Sequence, residues 1–238
     1  YGSSPSRGKN LIYVGAIAAD KKMTAFSAWG PMDDGRLIPT VVAHGGNVLS
    51  ADQGQGYRRL SGTSMACPAV TGQLALVTEY FARQNNNDIP RSDLLRALLA
   101  NTTEEIYPEG PDYATGYGLA NTANMIEVLR EQQYILGQCD SQGAIQDHEI
   151  FVPDGVKRVR VMLAWNDAVT LKPYTWGEKA LVNDLDLCVQ NGDTKILPWV
   201  LDPAHPSLMA TRGEDHLNTM EQVTIASPKR LLKISVKA

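Results

Sequence analysis

Ser64 is the residue of this chain best placed by its neighbours to act as a nucleophile. It stands in the run Ser61-Gly62-Thr63-Ser64-Met65-Ala66-Cys67-Pro68-Ala69-Val70-Thr71-Gly72, and a helical apolar pattern follows through Leu74, Leu76, Val77 and Phe81. That order predicts a helix beginning at or near Ser64. The first-turn N–H groups of such a helix have no partner inside it and face any negative charge that develops nearby. A serine there, beside its own N–H, is placed both to attack a carbonyl and to help hold the oxyanion that results. The plainer use of the same residues is a polar helix cap. Pro68 is expected within the first turn, where a missing N–H costs least.

A second group with chemical potential is carboxylate. Asp184 and Asp186 are two apart, so on one strand they share a face, and Asp167 would approach from a neighbouring strand. Hard oxygen ligands of this kind suit calcium. The plainer reading is that these aspartates cap turns and accept from loop amides, Asn183 serving the turn with them. Three cysteines, Cys67, Cys139 and Cys188, cannot all pair within the chain, and their spacing fits neither a disulfide scaffold nor a zinc site. An odd cysteine count points away from dependence on disulfides. Cys67, three positions after Ser64 on the same helix, reads as a buried small residue. The glycine-rich stretches lack the strand–loop–helix setting of a phosphate cradle.

The elements that must position these residues fall into two grammars. The 238 residues are 43% apolar and 20% charged, enough for one large or two modest domains with a real core. The net charge of -4, with Lys and Arg scattered, excludes nucleic acid or an anionic membrane as the expected partner. No apolar run approaches a membrane span, and no signal peptide is read. In the first half, residues 1–10 read as loop, 11–18 as a buried strand, 39–45 as a second strand, and 50–60 as a loop leading to Ser64. Helices are expected over 64–83, from Pro90 through Leu94, Leu95, Leu98 and Leu99 to Thr102, and over 122–133. After about residue 137 the runs 149–152, 156–164, 186–189, 195–199, 222–226 and 231–236 are short and β-prone, with Gln190-Asn191-Gly192-Asp193 a hairpin turn. An antiparallel β domain follows, packed on the first because no extended linker separates them.

Taken whole, the Ser64 segment resembles the nucleophile motif of the subtilisin-like serine proteases. Gly62-Thr63-Ser64-Met65-Ala66 matches the family's Gly-Thr-Ser-Met-Ala, and Ser61, Pro68, Val70 and Gly72 match its flanks. Phe26-Ser27-Ala28-Trp29-Gly30-Pro31 resembles the family's Phe-Ser-Ser-x-Gly-Pro, with Ala28 for a serine and Trp29 at a position usually small or arginine. Trp29 either walls a substrate pocket or packs in the core. Pro39-Thr40-Val41-Val42-Ala43-His44-Gly45 resembles the strand that ends Ala-Pro-Gly, with His44 in place of proline. Gly116-Tyr117-Gly118-Leu119-Ala120-Asn121 resembles the segment before the last catalytic-domain helix. Further on, Leu163-Ala164-Trp165-Asn166-Asp167-Ala168 and Leu181-Val182-Asn183-Asp184-Leu185-Asp186-Leu187 resemble the β-barrel module of one group of bacterial alkaline subtilases.

The resemblance implies an α/β chain: residues 1–136 as the C-terminal part of a three-layer subtilisin-like parallel-sheet domain, then 137–238 as an all-β sandwich or jelly-roll module. It implies Ser64 as catalytic serine and a protein or peptide as substrate. The family order is Asp, His, Ser with the histidine far upstream, so His44 reads as structural rather than as the base. Asn10 stands too close to the first strand to match the oxyanion asparagine. The aspartate, histidine and asparagine are therefore expected on an upstream N-terminal fragment, the chain beginning at Tyr1 after an internal or self-inflicted cut, or else they are lost and the protein is an inactive scaffold. Calcium is implied as a structural ion at Asp167, Asp184 and Asp186, since the resembling modules bind it. A secreted, periplasmic or cell-surface bacterial setting is implied as well.

Overall fold

The computed structural model describes residues 8–139, 141–170 and 177–238; most of the expected N-terminal loop and the start at Tyr1 lie outside the described residues. The apolar runs at the start of the chain form two short parallel strands, β1 (Val14–Ile17) and β2 (Val41–His44), in register Val14 with Val41 through Ile17 with His44. A third extended run lies beside β2, where Val42 N–H donates to Gly118 O at 2.9 Å and Ala120 N–H to Val42 O at 3.0 Å. The tight approach explains Gly116, whose φ is +66 and where a Cβ would fall 2.3 Å from the carbonyl oxygens of Pro39 and Thr40.

Residues 50–60, expected as loop, instead belong to an antiparallel hairpin of β3 (Val48–Ala51) and β4 (Tyr57–Leu60). Nearly every residue of it is exposed, so no apolar alternation marks it in the sequence; its backbone pairing alone defines it. Helix α1 (Thr63–Gln84) follows at once, then α2 (Ser92–Asn101) and α3 (Thr122–Arg130). All three present apolar residues to one core with β1 and β2, including Val41, Val70, Val77, Leu98, Leu99 and Met125. Asn121 caps α3 by accepting from Asn124 N–H at 3.2 Å. Because α1 begins at Thr63, Pro68 falls in its second turn rather than its first. There its missing N–H leaves the Ser64 carbonyl without the usual i+4 partner.

The second half is antiparallel. One sheet has the order β5 (Ile145–Phe151), β12 (Leu231–Lys237), β7 (Asp186–Asn191), β8 (Thr194–Ile196). A two-stranded sheet pairs β6 (Arg158–Ala164) with β11 (Met220–Ala226), and β9 (Trp199–Val200) pairs with β10 (Thr211–Arg212). The β7–β8 turn is the expected hairpin, Asn191 opposite Thr194 with Gly192 at φ +64. Inward side chains of β7, β11 and β12 form a second core, Leu187, Val189, Val223, Ile225, Leu232 and Ile234. The chain is thus a mixed α/β structure with parallel and antiparallel sheets. No closed barrel or jelly-roll order forms among the described residues.

The two halves share buried polar contacts. Arg96 of α2 is 2% exposed and donates to Trp165 O at 3.0 Å and to Thr219 Oγ1. Asn101, at the end of the same helix, donates to Arg160 O at 3.2 Å and accepts from Gln222 at 3.1 Å. Burial pushes the Glu105 carboxyl up to about 7, with Arg160 partly opposing the shift from 3.8 Å.

Two outcomes are expected. Leu232→Ala, at a fully buried inward position of β12, should cost about 2–5 kcal/mol in urea unfolding, whereas Leu231→Ala on the outer face should change stability by no more than about 0.5 kcal/mol. Between pH 4.5 and 7 the folded chain holds a proton on Glu105 that the unfolded chain has released, so this group makes stability fall as pH rises through that window. Denaturant midpoints measured across the window should show a shallower fall in Glu105→Gln.

Candidate active site and cation cluster

Ser64 is exposed at the second position of α1, and the seat beneath it is built from backbone. Gly62 N–H donates to Gly45 O at 2.9 Å, Gly45 N–H donates to Ile17 O at 2.9 Å, and Met65 N–H closes onto Gly62 O at 3.0 Å. The helix start is therefore bound to the ends of both parallel strands. Gly45 has to be small: a Cβ there would lie 2.7 Å from Gly62 O and from the Ala16 Cβ. Asn47 N–H donates to Ser61 Oγ at 2.8 Å and fixes the approach from the other side.

Among the described residues no Ser-His-Asp triad and no oxyanion asparagine is formed. His44 sits exposed at the end of β2, while His148, His205 and His216 belong to the β-rich half. Asn10, already set aside as an oxyanion group, pairs with Asp167: its side chain donates to Asp167 O at 2.9 Å and accepts from Asp167 N–H at 3.0 Å. Cys67 is exposed, not buried as expected, because one face of α1 lies open: Cys67, Pro68, Ala69, Gly72 and Leu76 are all solvent-facing. Trp29 is 51% exposed, so it does not take the core position.

Of the three aspartates expected at a metal, the structure brings two together and sends the third elsewhere. Asp167 is buried against Lys9, whose Nζ lies 2.6 Å from Oδ2. Oδ2 also accepts from Val182 N–H at 2.8 Å, and Oδ1 accepts from Asn183 N–H at 2.8 Å and from the Asn183 side chain at 3.0 Å. Burial acts to raise its pKa, but Lys9 and the two loop amides hold it below the usual value. Asp167 thus acts as a latch on the segment after Leu181, reinforced by Trp165 Nε1 donating to Asn183 O at 3.1 Å.

Asp184 and Asp186 form a cluster with His216, a residue that sequence spacing did not bring forward; their ligand atoms lie within 4.8 Å of one another. His216 Nδ1 is 3.0 Å from Asp184 Oδ2. Behind them, burial, reinforced by the charges of Asp215, Asp186 and Asp184, pushes the Glu221 carboxyl up to about 9 despite a hydrogen bond from Leu187 N–H. Asp184 and Asp186 each keep one buried oxygen without a donor, so the cluster fits a metal ion, and nothing in its geometry singles out calcium.

Residues 1–118 match the subtilase family, peptidase S8. The C5a peptidase of Streptococcus pyogenes is 34% identical over 94 residues, which is 39% of this chain and 8% of that protein. Bacillopeptidase F of Bacillus subtilis is 27% identical over 145 residues, 60% of this chain and 10% of that protein. The chain therefore spans a tenth or less of the length of these relatives. A solved structure of the Clostridium perfringens CspB protease is 31% identical, covering 50% of this chain and 27% of that one at a TM-score of 0.46. No helix among the described residues is long and apolar enough to cross a membrane. The family match thus covers the first 118 residues of the chain and includes Ser64 at the start of α1.

Proposed function

We propose that this chain carries the nucleophile of a serine endopeptidase, which hydrolyses peptide bonds through an acyl-enzyme on Ser64. The observation that carries the reading is the backbone seat of Ser64: an exposed hydroxyl on the first turn of α1, with that turn bound to Gly45 and through it to β1. Ser64 Oγ attacks the scissile carbonyl, and the oxyanion meets the Ser64 N–H at the helix start. The base, its orienting aspartate and the second oxyanion donor come from an upstream segment or separate fragment. The open face of α1 supports this, as does the small parallel sheet, since such sheets are ordinarily covered on both sides. Protein or peptide is the substrate, and a secreted or surface setting accompanies the reading. The structural ion is calcium, at the Asp184–Asp186 pair.

A second reading is an inactive subtilase-like scaffold. It is favoured by the residues at Ala28, Trp29 and His44 and by the absence of a base beside Ser64 among the described residues.

Intact-mass analysis after fluorophosphonate treatment distinguishes the two. Co-expressed with an upstream segment bearing the aspartate, histidine and asparagine, this chain should gain one adduct at Ser64. Ser64→Ala should gain none, and its peptide hydrolysis should fall by a factor on the order of 10⁶ at an unchanged melting temperature. An assembled pair that takes up no adduct would establish the scaffold.

A further inference from the structure

Five carboxylates lie in and around the region where the turn before β7 meets β11, and the partners of their oxygens divide them into two kinds. Asp167 has both oxygens filled by Lys9, Val182, Asn183 and Ala168. Asp215 is filled as well: Oδ1 accepts from Leu217 and Asn218 N–H, and Oδ2 from the Asn218 side chain at 2.8 Å. The other three are half filled. Asp184 Oδ2 is met by His216 at 3.0 Å and Lys179 at 3.3 Å, and Glu221 Oε2 by Leu187 N–H at 2.6 Å. Yet Asp184 Oδ1, Asp186 Oδ1 and Glu221 Oε1 are each closed off from solvent with no donor. Glu221 is 1% exposed, and Asp184 and Asp186 are near enough to act on its charge. A buried acceptor without a donor bears its full desolvation cost. Three such oxygens, one on each of three neighbouring carboxyl groups, make a place for a cation.

We propose that an oxygen-preferring divalent cation of the calcium kind is held by Asp184 and Asp186, with Glu221 as the third, buried carboxylate of the site, and that Asp167 is no part of it. The inference rests on the calcium reading of the Asp184–Asp186 pair and is independent of the peptidase reading. Asp184 and Asp186 offer oxygens spaced for one ion, and Glu221, outside that spacing but held beside Asp186 by the Leu187 N–H, adds a buried oxygen to its surroundings. His216 is a positioning residue here: by engaging Asp184 Oδ2 it leaves Oδ1 for the ion. Asp186 opens β7 in the four-stranded sheet and Glu221 lies on β11 of the facing sheet. The ion therefore bridges the four-stranded sheet and the β6–β11 pair.

Thermal unfolding of the full chain in EDTA and in calcium chloride, with magnesium and zinc as comparators, tests this. Calcium at a hundredfold excess over its dissociation constant should raise the wild-type melting temperature by about 5–10 °C. Glu221→Gln, close to the original in shape, should melt no lower than wild type in EDTA and should show less than half the calcium shift. Asp186→Asn should lose most of the shift also, which keeps the test open if Glu221→Gln folds poorly. Asp167→Asn should melt lower in both buffers and keep the full shift. A wild type indifferent to all three ions overturns the cation reading itself. A calcium shift undiminished in Glu221→Gln overturns the role of Glu221 alone. Loss of the shift in Asp167→Asn overturns the exclusion of Asp167. Adduct formation at Ser64 is measured separately, so neither result stands in for the other.

Discussion

The buried ion pair of Lys9 and Asp167 is the contact on which the joining of the two halves depends. A carboxylate taken out of water is costly unless its lone pairs are filled, and Asp167 fills them with an ammonium, backbone amides and one side-chain amide. Lys9 is equally occupied, since its Nζ also donates to Ala168 O at 2.6 Å and Ala180 O at 2.8 Å. Removing one member of such a pair leaves the other as an uncompensated buried charge, a loss of about 3–5 kcal/mol. Arg96 extends the same junction from α2, through Trp165 O and Thr219 Oγ1, and Thr219 Oγ1 in turn donates to Lys9 O at 3.1 Å. The β-rich half is thus fastened to the α/β half by charge and directed hydrogen bonds as well as by the apolar contact of Ala100, Tyr117 and Met220.

The Ser64 seat is built on a different principle. Its fixed groups are backbone amides and carbonyls, with glycine required where chains approach most closely at Gly45. Side-chain identity matters less there than the absence of a side chain. That is why the run of small residues from Ser61 to Ala66 is so informative: each small residue corresponds to a close approach or to the start of the helix.

Much of this was legible from the sequence. Apolar alternation in Leu232, Ile234 and Val236 gave β12, and the turn at Gly192 gave the β7–β8 hairpin, because burial on one face leaves a period-two trace. The hairpin at 48–60 left no such trace, its side chains being almost all exposed. The exposure of Cys67 leaves no trace for a related reason: helical periodicity tells which residues share a face, but not whether anything covers that face. The carboxylates were the hardest to read. Asp167 and Asp184 look alike as letters, and only their partners distinguish a latch from a ligand. Glu221 and His216 come from segments more than thirty residues beyond Asp184, a separation that no local spacing rule bridges.

The reciprocal pairing of Asn10 with Asp167 has a kinetic side. The two residues are 157 positions apart, and closing so long a loop must precede any reward from the contact, which is the condition that slows folding in structures of high contact order. On the ribosome, at about 5–20 residues per second, Asn10 waits roughly 8–30 seconds before Asp167 is even synthesised. Through that interval the first half holds its parallel strands and helices without the junction that fastens them, its buried faces toward β6 and β11 still open. Apolar surface left open over such an interval is the kind that is prone to aggregate and that chaperones shield.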